Sequence, residues 1–220
     1  QITRPLDFLV IADHASNLGL MQQLAQSDKE FRDNAIAEKL RQQVHDMHQA
    51  YELDPDKSIQ MAYKLVVDGF NVGKVLTDET QRVVWTHAIE LADQYNEPGL
   101  FTAFIGYEWT ELTFNLHRVV IFKDNADKVG QVLPFDQYDS DNPEALWEYF
   151  GQYEADTGGE VIAIPHNGNL SQGMMFALEK LNGASLTVNY AKQRARWEPL
   201  YEITQIKGDS ESHPQLSPND

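Results

Sequence analysis

The chain of 220 residues contains no cysteine. Disulfides, thiolate metal sites and cysteine nucleophiles are therefore excluded, and any metal must sit on His, Asp or Glu. Basic residues are scarce: 17 Lys and Arg stand against 34 Asp and Glu, a formal net charge of −17. That field repels a phosphodiester backbone or an anionic bilayer, so neither nucleic acid nor a membrane surface is expected as a partner. No apolar run approaches the roughly 18 residues a membrane span requires, and the first residues lack the regions of a signal peptide. A Gly-rich phosphate loop, a nucleophile elbow and a dinucleotide fingerprint are also missing. No internal repeat or low-complexity stretch occurs.

What is there suffices for a folded core: 42% hydrophobic and 10% aromatic residues, including four Trp. At roughly 150 residues per domain the expectation is a single α/β domain over 1–220. Both ends read as cut, because an apolar run begins at Leu6 and the last residues, Leu216 to Asp220, are turn formers with no closing element. A section of a longer protein is expected. Five β-rich runs stand out, at Asp7 to Ala12, Phe101 to Tyr107, Arg118 to Lys123, Val161 to Pro165 and Leu200 to Ile206. Apolar residues at helical spacing predict helices over Lys29 to Tyr51, Ile59 to Val67 and Asp78 to Asn96, the last with a stripe of Val83, Val84, His87, Leu91 and Tyr95. Asn142-Pro143-Glu144 opens another helix, which Gly158-Gly159 stops. Strands alternating with helices predict a largely parallel sheet, with 28–76 as a helical excursion after the first strand. That excursion reads as packing, a lid or an oligomer surface.

The chemistry lies just past the strands. Asp13-His14 follow the first, Glu108 the second and His166-Asn167 the fourth, while His117 opens the third. Active sites of α/β folds gather at the carboxyl ends of strands, so these side chains would converge on one rim. Imidazole and carboxylate together suit Zn, Mn or Fe, ions that activate water for hydrolysis. Each residue alone also reads as a helix cap or loop hydrogen bond. His45 and His48, one helical turn apart, read as an exposed helix face, and His87 as a packed or hydrogen-bonded residue. Glu108 and Glu202 admit another reading, the paired carboxylates of a glycosidase, which work about 5 Å apart in retaining enzymes. Asn96-Glu97-Pro98, a tripeptide familiar from such enzymes, follows a helix instead of a strand and reads as a helix stop. Asn169-Leu170-Ser171 fits a glycosylation sequon.

Taken together and in order, Asp13-His14, Gly106-Tyr107-Glu108-Trp109-Thr110, Asn115-Leu116-His117-Arg118-Val119-Val120, Ile164-Pro165-His166-Asn167-Gly168-Asn169-Leu170-Ser171, Glu198-Pro199-Leu200-Tyr201-Glu202 and Gln205 to Pro214 resemble domain-of-unknown-function family 3604. That family is a relative of the polymerase-and-histidinol-phosphatase (PHP) superfamily. The resemblance implies a partial distorted (β/α) barrel of the PHP type and a centre of two or three divalent ions. It places His14, Glu108, His117 and His166 as metal ligands and Asp13 as the catalytic candidate. Ala12 stands where the superfamily's Thr-Asp-His signature has Thr. The superfamily's opening His-x-His pair and closing Asp-x-His pair are absent, which implies a middle section with an incomplete ligand set. Glu211-Ser212-His213 resembles the closing pair only superficially.

The implied activity is metal-dependent hydrolysis of a phosphoester or similar bond in a small, anionic substrate. Arg118, Asn167, Asn169, Lys207, Glu211 and His213 are the candidate substrate contacts. Two other classes stand beside it: a catalytically inactive barrel used for binding or scaffolding, and the glycosidase on Glu108 and Glu202. Acidic composition and absent cysteine fit a bacterial protein, cytoplasmic or exported to the periplasm.

Overall fold

The computed structural model describes residues 4–20, 23, 35–71, 73–205, 208–211, 213 and 215. It is a mixed α/β chain of two compact units, Ser16–Val84 on the one hand and Gln1–Ala15 with Trp85–Asp220 on the other. In chain order the principal elements are β1 (Phe8–Val10), α1 (Ala35–Leu53), α2 (Pro55–Asn71), α3 (Asp78–Tyr95), β2 (Thr102–Trp109), β3 (His117–Phe122), α4 (Ala126–Val129), α5 (Pro143–Thr157), β4 (Val161–His166) and α6 (Val188–Trp197). Thr204–Gln205 and Gly208–Asp209 form a two-stranded ribbon, β5 and β6. The strand expected over Leu200 to Ile206 is thus reduced to two residues, and Ile206 lies outside the described residues.

In the unit Ser16–Val84 the elements among the described residues are helices. Helices α1 and α2 pack around Leu20, Ala37, Leu40, Leu65 and Leu76, with Val44, Met47 and Val75 against them. Asn17 pins the chain that follows α2: its Oδ1 accepts from Val75 N at 2.8 Å and its Nδ2 donates to Gly73 O at 2.8 Å. The expected start of α1, from Lys29 to Asn34, lies outside the described residues. His45 and His48 are exposed, with His45 bonded to Gln49 one turn on.

The larger unit carries the sheet, ordered β1-β2-β3-β4. Strand β1 pairs in parallel with β2, whereas β2 with β3 and β3 with β4 pair antiparallel. The expected largely parallel sheet is therefore mixed. The cause lies in the β2 to β3 connection, residues 110–116, which is too short for the crossover that a parallel pair demands. No closed barrel forms among the described residues.

Alternation along the strands separates two faces. Ile105, Tyr107 and Trp109 of β2, Arg118, Val120 and Phe122 of β3, and Val161 and Ala163 of β4 are buried on one of them. Aromatic side chains from the helices cover this face. Trp85 of α3 stands edge-on to Tyr107, Tyr153 of α5 meets Phe122 with ring centroids 4.9 Å apart, and Phe150 packs on Trp197 of α6. The buried stripe of α3 is Gln81, Trp85 and Ile89; the expected stripe is solvent-facing, with Val83, His87 and Tyr95 exposed. Burying Trp85 with Ile89 outweighs several smaller contacts, because burial free energy scales with apolar area.

Helix α5 starts and stops as its sequence demands. Asn142 Oδ1 accepts from Glu144 N at 3.0 Å, Pro143 fills the first turn, and Gly158 ends the helix at φ 63°, donating to Glu154 O. Gly106 is required by crowding instead. A Cβ there would lie 2.5 Å from both Val10 Cγ2 and the backbone oxygen of Val120.

Candidate functional site

Strands β1, β2 and β4 run in one direction and β3 runs back, so the carboxyl ends of three strands and the amino end of β3 share one edge of the sheet. His14, Glu108, His117 and His166 stand on that edge. Register fixes their neighbours. Glu108 N donates to Asp13 O and Ala15 N to Glu108 O, both at 2.8 Å, which sets His14 beside Glu108 in a parallel bridge. His117 lies opposite His166, and Glu108 lies opposite Val119, two residues along β3 and on the same face as His117.

The side chains meet on the carboxylate. Glu108 Oε1 is 2.5 Å from His117 Nδ1 and 3.1 Å from His166 Nε2, while Oε2 is 3.7 Å from His14 Nδ1. The ring centroids of His14 and His117, and of His117 and His166, are 5.5 Å apart in each pair. His14, Glu108 and His117 each offer a ligand atom, and the three atoms lie within 4.8 Å of one another. His117 and His166 share Oε1 and His14 faces Oε2, so Glu108 is the shared member of the group.

Electrostatics favour the metal-binding forms. Burial acts to raise the Glu108 carboxyl, but hydrogen bonds from His117 and His166 and the neighbouring His14 outweigh it and hold the group at about 2. Burial pushes His14 below the ordinary imidazole range, and His117 and His166 add to that against the pull of Glu108. An ionised carboxylate beside a neutral imidazole is what a divalent ion takes up.

Two polar residues complete the cluster without having been singled out as candidates. Thr110, fully buried, sets Oγ1 2.6 Å from His14 Nδ1 and 3.4 Å from His117 Nδ1. Asn115 places Oδ1 2.7 Å from His117 Nε2. Thr110 was legible by spacing, since residues i and i+2 share a strand face and Glu108 is two positions away.

The other expected site residues are placed as follows. Asp13 is exposed beside His14 and uses its backbone oxygen on Glu108. Asn167, buried at φ 66°, and Asn169 follow His166 in the loop after β4, and the Oδ1 atoms of both are buried without a hydrogen-bond partner, as is His166 Nδ1. That loop is tied to the end of the chain: Gly168 N donates to Tyr201 Oη, Asn169 N to Ser210 O and Glu202 N to Pro165 O. Glu211 and His213 are exposed. Lys207 lies outside the described residues. Glu202 accepts from Gln205 Nε2 at 2.8 Å and faces Ser210 Oγ, contacts unrelated to Glu108.

Arg118 is turned away from the cluster. Adjacent to His117 in a strand, it must face the opposite side, where its side chain is 2% exposed and Nε donates to Glu198 Oε1 at 2.6 Å. Its guanidinium sits over the Trp109 ring. Placed so, it is paired within the helix-covered core instead of standing ready for a substrate anion.

Among the described residues no helix is long and apolar enough to cross a membrane. Comparison with curated proteins and with solved structures returns no match. A family model does match, over residues 1–220, and its description is Protein of unknown function (DUF3604). With the whole length matched, the chain belongs to the DUF3604 family.

Proposed function

We propose that His14, Glu108, His117 and His166 hold divalent metal ions, and that the chain serves a metal-dependent hydrolase of the PHP phosphoesterase type. One observation carries this reading: three imidazoles from separate strand ends converge on a single half-buried carboxylate, with the ligand atoms of His14, Glu108 and His117 mutually within 4.8 Å. Neutral nitrogen and anionic oxygen donors without a thiolate suit Mn, Zn or Fe. With His117 and His166 at Oε1 and His14 at Oε2, Glu108 is the residue proposed to be shared between ions. In this reading the sheet belongs to a (β/α) barrel whose inner face carries Glu108, His117 and His166.

A bound divalent ion supplies Lewis acidity, which makes water nucleophilic near neutral pH and offsets charge on a phosphoryl oxygen. The residues of the chain do the rest. Glu108 stays ionised through neutral pH and aligns the imidazoles. Asp13, solvent-facing beside His14, is the residue proposed to move protons between site and solvent. The substrate proposed is a small anionic phosphoester, held on the Asn167 to Asn169 loop with Lys207 as the candidate cation.

The test combines elemental analysis with hydrolysis of 4-nitrophenyl phosphate and bis(4-nitrophenyl) phosphate, with and without chelator. Bound Mn, Zn or Fe that falls in His117→Ala and His166→Ala, together with chelator-sensitive hydrolysis, is the expected result. Metal without hydrolysis turns the reading to a binding or scaffold domain. Failure of every divalent ion to bind overturns the metal centre, and a glycosidase activity indifferent to chelator would favour Glu108 and Glu202.

A further inference from the structure

We infer that Tyr201 is a positioning residue for the candidate centre: its hydroxyl, with the Glu202 amide beside it, clamps the chain on either side of His166-Asn167 and so fixes where His166 meets Glu108. This rests on the metal reading above and adds to it the group that sets one of the imidazoles in place.

His166 is the last residue of β4, and its ladder with β3 ends there, so no strand holds the chain beyond it. The backbone turns at once. Asn167 makes the turn at φ 66°, a left-handed conformation that a residue with a side chain keeps where its surroundings impose it. Those surroundings lie on both sides. Before the turn, Pro165 O accepts from Glu202 N at 3.1 Å; after it, Gly168 N donates to Tyr201 Oη at 3.1 Å. Residues 201 and 202 are neighbours, so one dipeptide holds residues 165 and 168 and brackets the two between them.

The direction of each bond is fixed by the groups themselves. A backbone N–H only donates and a carbonyl oxygen only accepts, so the Tyr201 hydroxyl accepts from Gly168 and gives its own hydrogen to Ser210 O, 2.9 Å away. Ser210 is fully buried; its oxygen also accepts from Asn169 N at 2.9 Å, and its N donates to Ile203 O at 2.7 Å. The clamp therefore closes through the ribbon segment and returns to the loop one residue further on. Gly168 shows how closely the parts fit. It lies outside the left-handed region, yet a Cβ there would overlap Tyr201 Oη, so the hydroxyl reaches the backbone because residue 168 has no side chain. The ring is held independently of the hydroxyl: Phe176 stands edge-on to it at 5.1 Å between centroids, and the Arg194 guanidinium lies 4.6 Å from the Phe176 centroid. Tyr201→Phe thus removes the clamp and keeps the packing.

The test uses the full chain labelled with ¹⁵N and stripped of metal, as wild type, Tyr201→Phe, His166→Ala and the double variant. In the wild type the Gly168 amide should exchange slowly with solvent. In Tyr201→Phe it should exchange about 3–10-fold faster, the net worth of one hydrogen bond, and the His166 ring resonances should move. Zinc titration by calorimetry, below every melting transition, should give about 3–10-fold weaker binding for Tyr201→Phe than for the wild type. In the His166→Ala background the same substitution should change zinc affinity by less than about 2-fold, because the residue it acts through is gone. A merely structural hydroxyl would act equally in both backgrounds. Equal losses in the two overturn the inference, as do unchanged zinc affinity in Tyr201→Phe, unmoved His166 resonances, or a fast Gly168 amide in the wild type. A Tyr201→Phe chain that does not fold overturns it too, since the hydroxyl would then carry the fold and not the turn alone. If the wild type takes up no zinc, the metal reading fails, and amide exchange with the His166 resonances decides whether Tyr201 positions His166.

Discussion

Replacing Glu198 by Ala should destabilise the larger unit more than any substitution at the cluster while leaving the divalent-ion uptake proposed for the cluster unchanged. The Glu198 side chain is 1% exposed, and two hydrogen-bond donors and a second guanidinium depend on it. Arg118 Nε donates to Oε1 at 2.6 Å, Trp147 Nε1 donates to the same oxygen at 2.9 Å, and Arg194 Nε lies 3.2 Å from Oε2. Together they fasten β3, α5 and α6 to one carboxylate. Removing one partner of a buried ion pair costs roughly 3–5 kcal/mol, because the other charge is left in a medium that cannot solvate it. At about 2–4 °C per kcal/mol for a domain of this size, the melting temperature should fall by roughly 6–20 °C.

The reverse substitution is not symmetrical. Arg118→Met removes the guanidinium and leaves Glu198 still paired with Arg194 and bonded to Trp147. Its loss should therefore be well under that of Glu198→Ala. Thermal unfolding by circular dichroism of the metal-stripped variants reads both, and elemental analysis of the loaded proteins reads the cluster. A fall of under about 3 °C for Glu198→Ala, where a buried orphaned charge should cost several kcal/mol, would refute the reasoning. So would an Arg118→Met variant less stable than Glu198→Ala. If Arg118→Met keeps its melting temperature and loses hydrolysis of an anionic ester, Arg118 reaches the substrate after all and the separation of the two sheet faces fails.

Glu108→Gln in the metal-stripped protein isolates the acid dependence of the cluster. With its folded value held at about 2 against an ordinary 4.5, the carboxylate contributes stability in full above about pH 5 and loses it as the pH falls through 2. The stability gap between wild type and Glu108→Gln should be on the order of 3 kcal/mol at neutral pH and should close over that window. A gap independent of pH refutes it. Gly106→Ala should cost about 1–3 kcal/mol through overpacking, since the Val120 backbone oxygen 2.5 Å from the new Cβ cannot rotate away. Equal denaturant midpoints for wild type and Gly106→Ala would show that β1 and β3 yield at that point.

Much of the cluster was legible because strand ends announce themselves. Apolar runs that stop at Asp13-His14, at Glu108 and at His166 place those residues on a sheet edge whatever the fold, and His117 at the start of a run belongs to the same edge if its strand returns. The structure meets that condition through the short connection 110–116. What composition could not show was direction: the same alternation of strands and helices suits a parallel sheet, and only the length of one loop contradicted it. The placement of Arg118 follows from the sequence, because a period of two sends neighbours in a strand to opposite faces and so turns Arg118 away from the side His117 faces. On α3 the apolar spacing of Val83, Leu91 and Tyr95 was real, yet Trp85 and Ile89 carry the larger contacts and turn the helix onto them. Asn115 was beyond the sequence for a different reason. Its place beside His117 depends on φ 58° and on Glu111 being buried against loop amides, and no pattern of residue types distinguishes that from an ordinary polar turn. Strand ends therefore find the members of the cluster, while the contacts that turns add to it depend on a backbone that must first be known.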